Sequence, residues 1–266
     1  MNRVLDDIEF LARSANRVDV LRLVADRTYT RTELATATDA SQPTLGRILR
    51  DFEQRRWINR SPEGYAATAT GRLVADGLGE LYESLETEHT LRELVAWLPT
   101  EELGFDLRRL QDATVTVPTQ TRPGAPVGRV IELIDDAEQV TVLSHAFNDR
   151  TLAAVADWVA AGGQFEGVFS ASAITPVTDD AALAGQLRRL IDADAATVHI
   201  YDGPVPLAIT ITDSVVSLLV RDDSGRLQAA LDTDDPDVLS WARDSYSRYR
   251  EQSQPLTSEL FDELGT

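Results

Sequence analysis

Apolar residues recur at helical spacing through the first quarter of the chain. Val4, Leu5, Ile8 and Leu11 mark one helix, and Val18, Leu21 and Val24 mark a second that begins after Ser14. Thr30-Arg31-Thr32-Glu33 is a capping box, in which hydroxyl and carboxylate satisfy each other's orphan amides. It predicts a short helix through about Thr38 with Leu34 inward. Thr38-Asp39-Ala40 is turn chemistry, Ser41 is a second N-cap, and Pro43 is tolerated in the first turn, where amides lack intrahelical partners. The helix that follows buries Leu45, Ile48, Leu49 and Phe52. Gln42, Thr44, Gly46, Arg47, Arg50 and Gln54 stay off the core or at its margin. Arg55 to Ser61 and Tyr65 to Thr68 read as two strands around the turn Ser61-Pro62-Glu63-Gly64. A helix or broken helix then runs to Pro99, with Val74, Leu78, Leu81 and Leu85 as a heptad-like stripe continued by Leu91, Leu94, Val95 and Leu98. Such a stripe serves either as a dimer seam or as packing for its own chain.

The second half alternates between periods. After the loop-like stretch of residues 118–126, a helix around Val130, Ile131, Leu133 and Ile134 leads to the strand Val140-Thr141-Val142-Leu143. A helix over 151–161 closed by Gly162-Gly163, the strand Phe165 to Phe169, a helix holding Leu183, Leu187, Leu190 and Ile191, and the strand Thr197 to Tyr201 complete a βαβαβ unit. That order predicts a parallel sheet with right-handed crossovers. Strands over 207–212, 215–221 and 227–231 are joined by short turns and are therefore antiparallel, so the sheet is mixed; a last helix begins near Pro236. The expected division is 1–72, 73–98 as a linking and dimerisation helix, 99–256, and a tail over 257–266.

Composition narrows the chemistry. All 25 basic residues are arginine, and cysteine is absent. Without lysine there is no P-loop lysine, Schiff base or lysine general base; without thiols there is no disulfide scaffold or cysteine nucleophile. The spread of His89, His145 and His199 argues against an all-protein zinc site, and no metal or other cofactor is expected. There is no apolar run long enough for a membrane span and no signal-peptide core near the N-terminus, so a cytoplasmic protein with no membrane partner is expected. The net charge of −19 with no lysine is similar to the proteins of salt-in halophiles; a codon bias that replaces Lys by Arg is the alternative. The charge is uneven. Residues 1–72 hold 12 Arg against 10 Asp and Glu, a net of +2, whereas the remaining residues hold 13 Arg against 34, a net of −21. A segment that escapes the acidity of the rest suggests contact with a polyanion.

A helix-turn-helix followed at once by a hairpin is a winged helix. Residues 14–75 resemble the winged helix-turn-helix of archaeal and bacterial transcription regulators, with Arg31-Thr32-Glu33-Leu34-Ala35 on the positioning helix and residues 41–52 on the recognition helix. Trp57-Ile58 opens the wing, and Tyr65, Thr68 and Gly71 close it. Arg47 can bond a guanine edge or a phosphate, and Gln42 can read an adenine. Ser41 and Thr44 can hold phosphates at the helix N-terminus, and Arg31, Arg50 and Arg60 complete the candidate DNA contacts. Double-stranded promoter DNA is the expected partner, with a homodimer presenting two recognition helices.

The strand order, Ser144 after the first parallel strand, and the ending from Trp241-Ala242-Arg243 through Tyr249-Arg250 to Pro255-Leu256 carry a second resemblance. Residues 99–256 resemble the effector domain of archaeal regulators of the methanogenesis regulatory protein type, a group that includes filament-formation regulators. The resemblance implies an α/β fold related to phospholipase D. A phospholipase D enzyme needs a His-x-Lys motif, which this chain lacks. A Ser144, His145, Asp213 triad is disfavoured because neighbours on an extended chain point to opposite sides and no nucleophile elbow is present. No catalysis is expected. Ligands of open α/β sheets lie beyond the carboxyl ends of the parallel strands. There Ser144, His145, Phe147, Asn148, Ser170 and Tyr201 are candidates for binding a small polar effector. The whole reads as a ligand-responsive transcription regulator; the alternative is a protein interaction adaptor that uses its winged helix and helical stripe without DNA.

Overall fold

The computed structural model describes residues 3–264, and the chain divides into two compact units between Leu85 and Glu86. The first opens with α1 (Arg3–Ala12), α2 (Ala15–Asp26), α3 (Arg31–Ala37) and α4 (Gln42–Gln54). The hairpin β1 (Ile58–Ser61) and β2 (Gly64–Ala67) follows, and α5 (Ala69–Leu91) runs on into the second unit. The capping box forms: Glu33 N donates to Thr30 Oγ1 at 3.2 Å and Thr30 N to Glu33 Oε2 at 2.7 Å. Ser41 caps α4 by accepting from Thr44 N at 3.4 Å. Leu21, Leu34, Leu45 and Phe52 are sealed in one core, where Phe10, Phe52 and Trp57 lie at mutual centroid distances of 5.7 to 6.1 Å.

The hairpin is shorter than expected at its start. Arg55 and Arg56 belong to a turn, with Arg56 at φ 57°, and the ladder begins at the pair Ile58↔Ala67. Gly64 ends the tight turn at φ 137°, a conformation costly for any residue with a Cβ. Tyr29 adds an unexpected bridge, exchanging backbone hydrogen bonds with Tyr65 at 2.9 and 2.8 Å. Behind the hairpin, Thr68 Oγ1 donates to Arg56 O at 2.7 Å, and Gly71 packs so closely that a Cβ would lie 1.8 Å from Trp57 O. Two apolar stripes are only partly buried. Leu11 alone of α1 is buried while Val4, Leu5 and Ile8 are exposed; on α5, Val74 and Leu78 pack on the core but Leu81 and Leu85 face solvent.

In the second unit the elements are β3 (Thr114–Thr116), α6 (Ala125–Asp135), β4 (Gln139–Ser144), α7 (Asp149–Ala160), β5 (Gln164–Ser170) and α8 (Ala171–Thr178). Then come α9 (Ala181–Ile191), β6 (Ala196–Tyr201), β7 (Ala208–Ile211), β8 (Val216–Arg221), β9 (Leu227–Thr233), α10 (Pro236–Glu251), β10 (Gln254–Pro255) and α11 (Ser258–Leu264). They build one sheet in the order β10-β6-β5-β4-β7-β8-β9-β3. The central β4, β5 and β6 are parallel and every other pairing is antiparallel, as the alternating pattern implied. Alternate side chains leave the sheet on opposite faces. Val140, Phe165, Phe169 and Val198 meet α6, α7, α8, α9 and α11, while Leu143, Val168, Ile209 and Leu218 meet α10 and the segment around Leu91, Leu94 and Leu110. Gly167 leaves room for the rings of Phe165 and Phe169, which fold toward it from either side on the strand; an added Cβ would lie 2.6 to 2.9 Å from them.

Four elements differ from expectation. β3 and β10 are added edge strands, α8 replaces a loop after Ser170, and the segment expected as a tail contains α11, whose Phe261 is buried in the core.

Candidate functional site

Around α4 the buried stripe fixes what faces outward. A residue advances about 100° around a helix, so Arg47, Arg50 and Gln54 stand opposite Leu45, Ile48, Leu49 and Phe52; all three are exposed. Gln42 and Ser41 are exposed at the start of the helix and Thr44 is half-buried, with Ser41 Oγ and Thr44 Oγ1 2.9 Å apart. Arg60 projects from β1, 5.8 Å from the Tyr65 ring centroid. Arg31 does something the sequence did not show. Its Nη2 donates to Gln42 O at 2.9 Å and lies over Gly46, where a Cβ would come within 2.9 Å of it. The bare Gly46 thus accommodates a neighbouring guanidinium. The structure brings Arg31, Ser41, Gln42, Thr44, Arg47 and Arg50 together on α3 and α4, with Arg60 on the hairpin.

Charge adds to this geometry. Among the described residues none of Arg31, Arg47, Arg50 and Arg60 has a salt bridge, although Arg13, Arg27 and Arg55 of the same unit pair with Glu9, Glu33 and Asp7. Arg17 was not singled out in the sequence. It is half-buried against the Phe10 ring at 3.9 Å and donates to Phe10 O at 2.6 Å. Burial lowers its pKa and Asp51 opposes that, while Arg47, Arg55 and Arg13 add repulsion, so positive charge is concentrated beside α4.

The second unit contains a cavity of about 60 Å³ at the carboxyl end of β4, between the sheet and α6 and α7. Ser144, Phe147 and Asn148 line it; Ser170, Tyr201 and His145 do not. Ser144 is buried and its hydroxyl donates to Ala146 O at 2.8 Å, and Asn148 Oδ1 caps α7 by accepting from Arg150 N and Thr151 N. Phe147 stacks on Phe169 at 4.3 Å. Ser170 is sealed at the end of β5, its hydroxyl 3.0 Å from that of Ser172. Tyr201 belongs to the opposite sheet face, edge-on to Tyr249 at 4.9 Å, and lines a separate 390 Å³ pocket with Trp241 and Glu102. His145 is half-buried with Nδ1 unpartnered; burial lowers its pKa, reinforced by Arg221 and opposed by a hydrogen bond with the Val205 backbone. Arg221 is the lining residue the sequence left unnoticed, because nothing local marks an arginine at the end of an apolar strand.

The three groups of the imagined triad are not assembled. Asp213 accepts from Glu138 N at 2.8 Å and Gln139 N at 3.2 Å, at the opposite end of β4 from Ser144. Among the described residues no group of three or more His, Asp or Glu is placed to hold a metal ion, and no helix is long and apolar enough to cross a membrane.

Comparison with known proteins bears on both units. Residues 5–90 match the family model described as the HVO_A0261 N-terminal domain. Residues 123–252 match the model described as the middle domain of the methanogenesis regulatory protein FilR1. No curated protein matches the chain. Among solved structures, TrmBL2, described as an archaeal chromatin protein with a novel mode of DNA binding, is 15% identical, covering 94% of this chain and 98% of that one at a TM-score of 0.44. Nuc from Salmonella typhimurium, a phospholipase D family member, is 13% identical over 55% of this chain and 99% of its own, also at 0.44. Phosphatidylserine synthase from Haemophilus influenzae Rd KW20 is 16% identical over 58% and 41%, at 0.38. The two family models bear out the resemblance read from the sequence: residues 5–90 are similar to an HVO_A0261-type N-terminal domain and residues 123–252 to a FilR1-type middle domain.

Proposed function

We propose that this protein is a transcription regulator that binds double-stranded promoter DNA. The first unit acts as a winged helix-turn-helix, with α4 entering the major groove and the β1–β2 hairpin reaching the backbone. The observation that carries the reading is the outer face of α4. In a chain with 44 Asp and Glu residues and 25 arginines, Arg47 and Arg50 form no salt bridge among the described residues and stand opposite a fully buried stripe. Arg47 reads a base edge or holds a phosphate, Gln42 reads a base, and Ser41, Thr44, Arg50 and Arg60 take phosphates. Arg31 positions the start of α4 through Gln42 O.

In this reading the regulator is a homodimer, joined through exposed apolar residues of α5, and its α/β unit senses a small molecule. No catalytic step is assigned. Replacing Arg47 and Arg50 together by Ala should abolish footprinted binding to a short, inverted-repeat promoter site while the thermal midpoint stays within a degree or two. Both side chains are exposed, and surface substitutions away from packed or paired groups cost about 0.5 kcal/mol or less. Retained promoter affinity in the double variant would remove α4 as the recognition helix. An adaptor acting on proteins alone would use the apolar face of α5 but leave the arginine face without a partner.

A further inference from the structure

In the α/β unit Arg221 is half-buried and forms no salt bridge among the described residues. Arg221 ends β8 after a register shift at Val220/Arg221 and lines the cavity at the carboxyl end of β4. Its Nη1 donates to Gly225 O at 2.9 Å. Its Nε is sealed from solvent and has no partner. The Nε–Nη2 edge left over is a fork that can grip a carboxylate with two parallel bonds. Burial lowers the Arg221 pKa, with no carboxylate opposing the effect. The adjacent Asp222 is engaged elsewhere, accepting from Ser224, Arg226 N and Gln228. By contrast Arg129, also half-buried in this unit, holds Asp232 at 2.7 Å. With carboxylates this abundant on the chain, a half-buried guanidinium with its Nε unpartnered and no salt bridge among the described residues can take an anion from outside.

The cavity narrows the class of that anion. Arg221 is the one charged side chain in the lining; Thr151 and Thr210 offer hydroxyls, and most of the remaining wall, including Val155, Phe169 and Leu219, is apolar. One cation balances one negative charge, and a dianion would leave uncompensated charge against hydrocarbon. At about 60 Å³ the space is well short of the roughly 150 Å³ that admits benzene, and it fits a chain of about three carbons. We propose that the cavity binds a short aliphatic monocarboxylate, its carboxylate on Arg221 and its alkyl end against the apolar wall. This rests on the reading of the α/β unit as a sensor and names the class of molecule sensed.

The test is thermal unfolding of the full chain at fixed potassium concentration, with potassium propionate replacing chloride and with propionamide and propylammonium as isosteric controls. Propionate at ten times its Kd should raise the midpoint by about 3 °C, and the two controls should leave it unchanged. Arg221→Gln should abolish the rise. Because that variant can itself shift stability, Ala208→Val is a second probe: it adds bulk to the cavity wall and keeps the guanidinium, and should weaken propionate at least tenfold by calorimetry. No propionate-specific rise, or an equal rise in R221Q, would overturn the proposal. In either case, a change in promoter affinity with an uncharged or cationic metabolite would leave the sensor reading standing and remove only the anion assignment. No response to any metabolite class would remove both.

Discussion

His199 is buried at 1% exposure in the middle of β6, and neither ring nitrogen has a hydrogen-bond partner. Burial lowers its pKa; Arg250 adds to that and Glu166 opposes it. His145 shifts the same way, by burial first. A histidine held neutral in the fold and free to charge when unfolded gives a definite sign. The unfolded chain binds more protons below its ordinary value of about 6.5, so stability is fully present above that pH and falls as pH drops toward the lower folded value. Denaturant unfolding between pH 8 and 5 at constant salt should therefore show stability declining below about pH 6.5. His199→Leu should flatten part of that decline; an unchanged slope would show that His199 does not titrate on unfolding. His199 falls within the strand expected from Thr197 to Tyr201, and that strand is present as β6. Arg221 was out of reach. Its meaning depends on a carboxylate that three-dimensional packing withholds, and no local pattern records an absence.

Among the elements, those with their own periodicity were legible. The α4 stripe, both caps, the Pro62–Gly64 turn and strands β4 to β9 follow from side-chain alternation and turn chemistry, and all are present. β3 and β10 are three and two residues long, defined by the neighbours they pair with and not by any pattern of their own. α8 was hidden because it starts directly from the end of β5 and carries Pro176, which reads as a breaker. Arg47 and Arg50 could be read together because they share the outer face of α4, whereas Arg31 and Arg60 come from α3 and β1. The ligand set was only half legible, since a strand end presents residues to two faces: Ser144, Phe147 and Asn148 meet at the cavity while Tyr201 turns to the other side. α5 supplies the test at this scale. Its Leu73, Leu81, Tyr82 and Leu85 are 72%, 46%, 39% and 48% exposed. Replacing Leu81 and Leu85 by Glu should convert a dimer to a monomer by light scattering, with the far-ultraviolet circular dichroism unchanged. A wild-type mass already equal to one chain would exclude the seam.

At the scale of the whole molecule, charge is divided between the parts. A net of −21 beyond residue 72 accompanies a net of +2 before it, from 34 acidic against 13 basic residues and 10 against 12. In the proposed regulator the acidic part repels DNA while the arginine face attracts it, and both effects are screened at high salt. Affinity should accordingly fall less steeply with KCl than for a basic repressor, leaning on base contacts and shape. Arg60→Ala should weaken all sequences alike and reduce the slope of log K against log salt by roughly 1. Arg47→Ala should instead alter sequence preference. A slope at molar KCl matching many released ions would contradict this balance.

The half-buried Arg221 also bears on how long each molecule survives. Arg221 is half-buried with its Nε unpartnered, and an occupant that binds only the folded chain would stabilise that chain by mass action. Cellular proteases act on the unfolded fraction, so small gains in stability change steady-state abundance several-fold. The same anion would then set the amount of regulator in the cell as well as its state, and its withdrawal would clear the protein from its promoters by turnover.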